Sequence, residues 1–132
     1  MNATTTHEPQ VLSAGTMIGD KVVNPKGENL GEIKELMIDM DSGRVAYAVL
    51  SFGGVLGMGE KLFALPFQAL QLRPDHHDFV LDVDKDKLKN APGFDKNNWP
   101  KTADRKWGED IHRYYGYEPY WSSATAGSTP RR

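Results

Sequence analysis

The chain has 132 residues, no cysteine and a formal net charge of −2. This length fits one domain of ordinary size, and the lack of cysteine excludes disulfides, thiolate zinc sites, iron–sulfur clusters and a cysteine nucleophile. The nearly balanced charge argues against a dedicated nucleic-acid-binding protein, which would present a basic face. Eight of the 13 aromatic residues, including all three tryptophans, lie between Phe94 and Trp121.

The two ends of the chain differ in composition from its middle. Residues 1–12 lack hydrophobic periodicity and predict a flexible arm, and residues 122–132 have the low complexity of a disordered tail. Between them we expect a domain at residues 13–95 and an aromatic extension at residues 96–121. Because the chain contains no run of about 20 apolar residues and residues 1–10 contain no hydrophobic signal core, we expect a cytoplasmic protein without membrane insertion.

The predicted elements of the middle region are mostly β-strands. Asn24–Gly27 has the residue preferences of a type I turn, and Asp41–Gly43 suits a short hairpin loop. Strands are predicted at residues 35–40, 44–52, 61–67 and 79–84, with a glycine-rich loop at residues 53–59. Short strands at this spacing, joined by turns, indicate a small barrel or sandwich.

Two of the predicted strands are apolar on both faces. A strand with one face in water normally alternates apolar and polar residues, but Val45–Phe52 and Leu62–Leu65 do not. Part of the outer face of the sheet must therefore be covered. The cover is either the C-terminal segment of the same chain or a second subunit.

The C-terminal segment has the composition of such a cover. A helix predicted here, with Thr102 as candidate N-cap and Gly116 as C-cap, carries one apolar stripe although Gly108 lowers its propensity by about 1 kcal/mol. The stripe consists of Trp107, Ile111, Tyr114 and Tyr115. Trp121 is a further candidate contact residue after the helix, and a shorter helix is predicted at residues 84–91.

No motif of the chain predicts catalysis or a cofactor. The loop at residues 53–59 lacks the Lys-Ser/Thr ending of a phosphate-binding loop and leads into a strand rather than a helix. It does present Val55, Leu56 and Met58, and apolar residues on an exposed loop are often contact points for a partner or a second copy. The other interpretation of this segment is a mobile hairpin loop.

His76 and His77 are the candidates for metal ligation. Adjacent residues in an extended strand point to opposite faces, so these two imidazoles do not easily share one ion. We therefore interpret Asp75–Asp78 as a polar hairpin turn and predict no metal site.

Several blocks of the sequence, in the same order along the chain, resemble one family. The blocks are Gly19–Asp39 (GDKVVNPKGENLGEIKELMID), Gly43–Gly54 (GRVAYAVLSFGG), Gly57–Pro66 (GMGEKLFALP), Ala91–Asp95, Asn98–Pro100 and Tyr115–Trp121. On these residues the chain, over about residues 13–121, resembles the PRC-barrel domain family in its stand-alone bacterial form. That family includes the cytoplasmic domain of the photosynthetic reaction-centre H subunit and the C-terminal domain of the ribosome maturation factor RimM.

The resemblance implies a mainly β fold, a small antiparallel PRC-type β-barrel with short helices in an aromatic-rich C-terminal extension. It transfers no catalytic residue, and the residues that match its pattern have structural roles: Gly27, Gly43, Gly53, Gly54 and Pro66. We therefore expect a non-enzymatic protein-interaction and assembly module without cofactor that forms a homodimer or higher homo-oligomer. The alternatives are an accessory protein of a photosynthetic reaction-centre or other electron-transfer membrane complex, and a small-molecule or metal-binding protein.

Overall fold

The computed structural model describes residues 11–53, 60–95, 99–100 and 105–122. Its strands are β1 Lys21–Val23, β2 Asn29–Ile38, β3 Val45–Gly53, β4 Glu60–Leu65, β5 Leu70–Arg73, β6 Asp78–Leu81 and β7 Gly93–Phe94. Its helices are α1 Ala14–Met17, α2 Lys85–Lys89 and α3 Arg105–Tyr114, with 3-10 turns at Phe67–Ala69 and Pro74–His76. The predicted mainly β fold with short helices is confirmed.

The described strands form one sheet in the order β5-β6-β1-β2-β3-β4-β7. Its pairs are antiparallel, as predicted, with the exception of β1 and β6, which run parallel with Val22 opposite Phe79. Strands β5 and β7 are the two edges, so within the described residues the hydrogen-bonded ladder does not close into a complete barrel.

Asn24 organises the turn between β1 and β2. Its buried side chain accepts from the backbone N–H groups of Lys26 at 3.1 Å and Glu28 at 2.9 Å through Oδ1. Its Nδ2 donates to the carbonyl of Val83 at 3.2 Å, which ties the turn to the segment after β6. The predicted turn is confirmed, since the Gly27 N–H donates to the Asn24 carbonyl at 2.8 Å and Gly27 has a φ of 85°.

Asp39 organises the hairpin between β2 and β3. Its backbone N–H donates to the carbonyl of Arg44 at 2.8 Å, and its carbonyl accepts from Gly43 at 2.7 Å. Its carboxylate accepts from the N–H groups of Asp41 at 2.9 Å and Ser42 at 3.3 Å. Gly43 has a φ of 75°, the left-handed conformation that suits glycine in such a loop.

Strands β3 and β4 are buried on both faces. Residues opposite each other in the ladder share a face, and successive residues alternate between faces. One face, here called the barrel face, carries Ala48, Leu50, Phe63 and Leu65, and the other, the helix face, carries Tyr47, Val49, Leu62 and Ala64. All eight side chains are at most 6% exposed, so both faces lie inside the protein.

Helix α3 covers the helix face of the sheet. The ring of Trp107 meets the ring of Tyr47 edge-on, with centroids 5.2 Å apart and planes at 73°. Ile111 and Tyr115 are buried and belong to the same apolar core as β3 and β4. The cover that the strand pattern requires is therefore supplied in the structure by the chain itself.

Local hydrogen bonds cap the C-terminus of α3 and the N-terminus of α2. Gly116 has a φ of 84°, and its N–H and that of Tyr117 donate to the carbonyls of Arg113 at 3.0 Å and His112 at 2.9 Å, the two bonds of a Schellman C-cap. Asp84 caps α2 by accepting from the N–H of Lys87 at 3.2 Å. Of the helices described, none combines the length and apolarity needed to cross a membrane.

Gly31 in β2 is a position where any side chain should be costly. It has a φ of 129°, and a Cβ there would lie 2.2 Å from the carbonyl oxygen of Ser51. We expect Gly31→Ala to lower the free energy of unfolding by about 1–3 kcal/mol more than Gly27→Ala. Gly27 is the matched control, because it also has a positive φ but nothing lies within 4 Å of its Cβ position. Equal losses in urea titrations of the two variants would contradict this close approach.

Candidate functional site

Two concave surfaces adjoin the β2–β3 hairpin. The first, here called the C-terminal cavity, has a volume of about 530 Å³ and lies between the hairpin and the segment Arg105–Trp121. The second, here called the barrel groove, has a volume of about 380 Å³ and lies between α1, the hairpin and β5–β6. Ile38, which is 47% exposed, lines both of them.

The barrel groove is lined by apolar side chains. The described lining consists of Leu12, Ala14, Met17, Leu36, Ile38, Val45, Phe67, Leu70, Leu72 and Phe79. None of these described side chains can titrate or donate a hydrogen bond. Its arrangement suits contact with another apolar surface.

The C-terminal cavity differs from the barrel groove because polar side chains lie among its apolar ones. The walls are Met37, Ile38, Met40, Ala46, Trp107, Gly108, Ile111 and Trp121. The polar lining residues are Asp39, Asp41, Tyr47, Arg105, His112 and Tyr120. An apolar cavity with a few convergent polar groups is typical of a binding site.

Tyr120 is held to the hairpin at both of its ends. Its hydroxyl donates to Asp39 Oδ2, and its carbonyl accepts from the guanidinium of Arg44, which also lies 5.0 Å from the centre of its ring. The hydrogen bond from Tyr120 is the main cause that lowers the pKa of Asp39. Burial first, and then the Asp39 carboxylate, raise the pKa of Tyr120 to about 12. At neutral pH the phenol therefore keeps its proton and the carboxylate its charge, which favours this bond.

His112 is a buried neutral histidine. It is 2% exposed, and its Nδ1 lies 2.8 Å from the carbonyl oxygen of Gly108. Because a carbonyl can only accept, Nδ1 carries the proton and Nε2 carries the lone pair of a neutral ring. Burial lowers the pKa of His112, which favours this neutral form. Within the described residues Nε2 has no hydrogen-bond partner.

The hydroxyl of Tyr47 is also buried without a partner among the described residues. Tyr47 is 6% exposed, and burial raises the pKa of its phenol. The hydroxyl of Tyr115 is likewise buried and unpartnered there, but Tyr115 does not line the C-terminal cavity. Of the three unpartnered buried side-chain atoms in the described part of the chain, two thus belong to residues that line one cavity.

Trp121 closes the wall beside α3. Its ring lies 5.0 Å from that of Tyr120 and 6.0 Å from that of His112, centroid to centroid, and the guanidinium of Arg105 lies 4.6 Å from its centre. A Cβ on Gly108 would lie 3.2 Å from the Trp121 ring. The glycine that weakens the helix propensity of α3 therefore makes room for this tryptophan.

Comparison with known proteins identifies the family of this chain. The family model of the PRC-barrel domain matches residues 9–88, which is more than half of the 132 residues. The chain belongs to the PRC-barrel domain family. Among curated proteins, none matches the chain.

Solved structures also match this PRC-barrel protein. One is the crystal structure of a 16S ribosomal RNA processing protein, RimM, from Pseudomonas aeruginosa. It is 20% identical over 57% of this chain, with a TM-score of 0.40. The match spans 45% of the RimM chain, so less than half of that protein is represented here.

The predicted contact residues of the C-terminal segment lie against the PRC barrel itself. Trp107 and Trp121 line the cavity, and Ile111 and Tyr115 are buried in the core. Tyr114 is half-buried, and its hydroxyl donates to the carbonyl of Lys87 in α2 at 2.7 Å. The other predicted contact residues, Val55, Leu56 and Met58, lie outside the described residues, as do Gly54 and Thr102.

The remaining predicted residues lie at turns. His76 and His77 are exposed between β5 and β6, and His77 has a φ of 53°. Over the described ranges, no group of three or more His, Asp or Glu side chains could hold a metal ion. Gly53 ends β3, and Pro66 is buried ahead of the 3-10 turn at Phe67–Ala69.

The sequence interpretation missed the residues that give the C-terminal cavity its polar character. In the sequence, Tyr47 belongs to a predicted strand that is apolar on both faces, and His112 belongs to no recognisable motif. One signal was available, because His112 follows Ile111 and lies one helical turn after Gly108 and one before Tyr115, on the edge of the apolar stripe. The hydrogen bonds of Tyr120 had no local signal.

The cover formed by α3 predicts a large effect of truncation. A chain that ends at Pro100 loses α3 and exposes the helix face. Since burial of a side chain such as Ile111 contributes about 1.5–3 kcal/mol and 1 kcal/mol shifts the melting temperature by about 2–8 °C, we expect a fall of at least about 10 °C. A chain that ends at Ser122 is the control and should melt like the full chain. Calorimetry measures both, and an unchanged melting temperature after the longer truncation would show that α3 adds nothing to the core.

The buried His112 predicts a pH dependence of stability. Its pKa is lower in the folded than in the unfolded chain, so the unfolded chain binds this proton at a higher pH. The contribution of the neutral His112 ring to the unfolding free energy is therefore complete above the ordinary histidine pKa of about 6.5, and it is lost as the pH falls below that value. We expect His112→Phe to lose less unfolding free energy than the unchanged protein between about pH 7.5 and about pH 5. Tyr115→Phe is the control and should keep the original pH dependence of the unfolding free energy. If this free energy changed equally with pH in all three proteins, His112 would not be its source.

Proposed function

We propose that this PRC-barrel protein is a non-enzymatic protein-interaction and assembly module that associates with a second copy of itself. The observation that carries the proposal is the barrel groove, whose described lining is entirely apolar and whose rim is exposed. Leu12 and Ile38 on this rim are 44% and 47% exposed, and Met40 beyond Ile38 is 86% exposed. These three residues are here called the apolar rim.

The composition of the groove supports binding rather than chemistry. Acid–base, nucleophilic and metal-assisted catalysis each need titratable or polar groups at the site. The described lining of the barrel groove offers none, while its apolar area is of the kind that another protein surface can remove from water. The proposal includes no cofactor, and it places the protein in the cytoplasm, since a chain without cysteine fits a reducing compartment.

A second copy of the chain is the occupant that this surface suits. In a two-fold dimer the same patch contributes both halves of the contact, so the patch must be complementary to itself. Here the concave apolar groove and the exposed apolar rim meet at Leu12 and Ile38, which line the groove. In a two-fold dimer the apolar rim of each copy can therefore enter the barrel groove of the other copy.

Self-association should depend on the apolar rim. We expect the full chain to sediment as a dimer, and the double variant Ile38→Asp, Met40→Asp to raise the dimer dissociation constant at least about tenfold, because each charge would have to be buried. Analytical ultracentrifugation over a range of concentrations measures both constants. Tyr117→Asp is the matched control, since Tyr117 is exposed but lines neither concave surface.

A second double variant separates the rim from the glycine-rich loop. Leu56→Asp, Met58→Asp should weaken association if that loop also contacts the second copy. A full chain that remains monomeric at high concentration would overturn the proposed self-association, and an unchanged dimer in the Ile38→Asp, Met40→Asp variant would remove the apolar rim from it.

A further inference from the structure

The C-terminal cavity has two buried polar residues with unmet hydrogen-bonding capacity. Tyr47 on β3 and His112 on α3 both line it, and neither Tyr47 Oη nor His112 Nε2 has a partner among the described residues. Buried polar atoms in folded proteins are nearly always hydrogen-bonded, because leaving one unpaired destabilises the fold. Tyr47 and His112 belong to different elements and line the same cavity, so a molecule bound there would supply the partners that both buried atoms lack.

The two atoms have defined and different roles. Nδ1 of His112 donates to the carbonyl of Gly108, so Nε2 of the neutral ring can only accept. The Tyr47 phenol keeps its proton at neutral pH, because burial raises its pKa, and so it can donate. A hydroxyl group matches this pair, since it donates through its hydrogen and accepts through its oxygen.

The other side chains that line the cavity favour a flat, apolar ligand. Trp107 and Trp121 present aromatic rings, and Met37 and Met40 are flexible side chains that adapt to the shape of a ligand. The volume of about 530 Å³ is within the range of small-molecule sites, roughly 300–1,000 Å³. Aromatic ligands stack well against such walls.

The charges around the cavity favour a neutral molecule. Asp39 and Asp41 oppose Arg105, which leaves one net negative charge on the lining and disfavours an anion. Asp39 already accepts from Tyr120, and the guanidinium of Arg105 already lies over Trp121. Tyr47 and His112, the buried polar groups, are neutral and would not compensate a buried charge of the ligand.

We propose that the C-terminal cavity binds a neutral aromatic molecule that carries a hydroxyl group, a phenol or an aromatic alcohol. The ligand hydroxyl donates to His112 Nε2, and Tyr47 Oη donates to an oxygen of the ligand. The two hydrogen-bonding residues of this site, Tyr47 and His112, are buried and do not line the barrel groove, whereas Ile38 and Met40 of the apolar rim also line the C-terminal cavity. Binding is therefore assigned through substitutions of Tyr47 and His112, which leave the apolar rim unchanged.

The test uses two probes of similar shape, 4-ethylphenol and ethylbenzene, on the full chain. Their dissociation constants are measured by titration in ¹H–¹⁵N NMR spectra at neutral pH. We expect 4-ethylphenol to bind at least about tenfold more tightly than ethylbenzene, because only the phenol can form the two proposed hydrogen bonds. The indole signals of Trp107 and Trp121 should shift, whereas that of Trp99 should not, because Trp99 packs on Phe94 away from the cavity.

Variants then assign the hydrogen bonds. Tyr47→Phe and His112→Phe should each remove most of the preference for 4-ethylphenol over ethylbenzene. Tyr115→Phe is the matched control, because it also deletes a buried hydroxyl without a described partner but lies outside the cavity lining. Tyr47→Phe removes only one unpartnered oxygen, so the variant keeps its fold even if His112→Phe unfolds.

Three results would overturn the proposal. One is the absence of shifts at Trp107 and Trp121 at millimolar 4-ethylphenol, which would leave water as the occupant of the cavity. Another is equal affinity for the two probes. The third is an equal loss of preference in Tyr115→Phe and Tyr47→Phe.

Discussion

The edge-on contact between Tyr47 and Trp107 joins the sheet to its cover, and most of the fold depends on that cover. Strands β3 and β4 are buried on both faces, so exposure of the helix face to water would destabilise the sheet. Helix α3 removes that face from water through Trp107, Ile111 and Tyr115. The barrel alone is therefore an incomplete domain, and the aromatic extension is part of its core.

A second constraint comes from Asp39, which binds both the β2–β3 hairpin and the C-terminal segment. Its carboxylate fixes the β2–β3 hairpin through backbone N–H groups and holds the hydroxyl of Tyr120. The end of the described chain is thereby fixed to the hairpin tip, 81 positions away in sequence. The C-terminal cavity lies between the hairpin and α3, so the bond from Tyr120 to Asp39 helps to define one of its walls.

Local signals in the sequence predicted the parts of this structure that local forces determine. The turn at Asn24 and the hairpin glycine Gly43 were predictable because few residues adopt those conformations, and the need for a cover followed from strands apolar on both faces. The parallel pairing of β1 with β6 was not predictable, since it depends on the closure of a long loop. The burial of His112 and its place at the same cavity as Tyr47 likewise depend on how α3 lies on the sheet.

Helix α3 is synthesised after the strands that it covers. The helix face is complete once residue 65 has been made, whereas residue 115, which ends the cover, comes 50 positions later. At a synthesis rate of about 5–20 residues per second, the uncovered face is exposed on the nascent chain for roughly 3–10 seconds. During that interval β3 and β4 present a wide apolar surface that can associate with other nascent chains or with chaperones. The position of α3 after β4 in the chain thus leaves this apolar surface uncovered until residue 115 has been made.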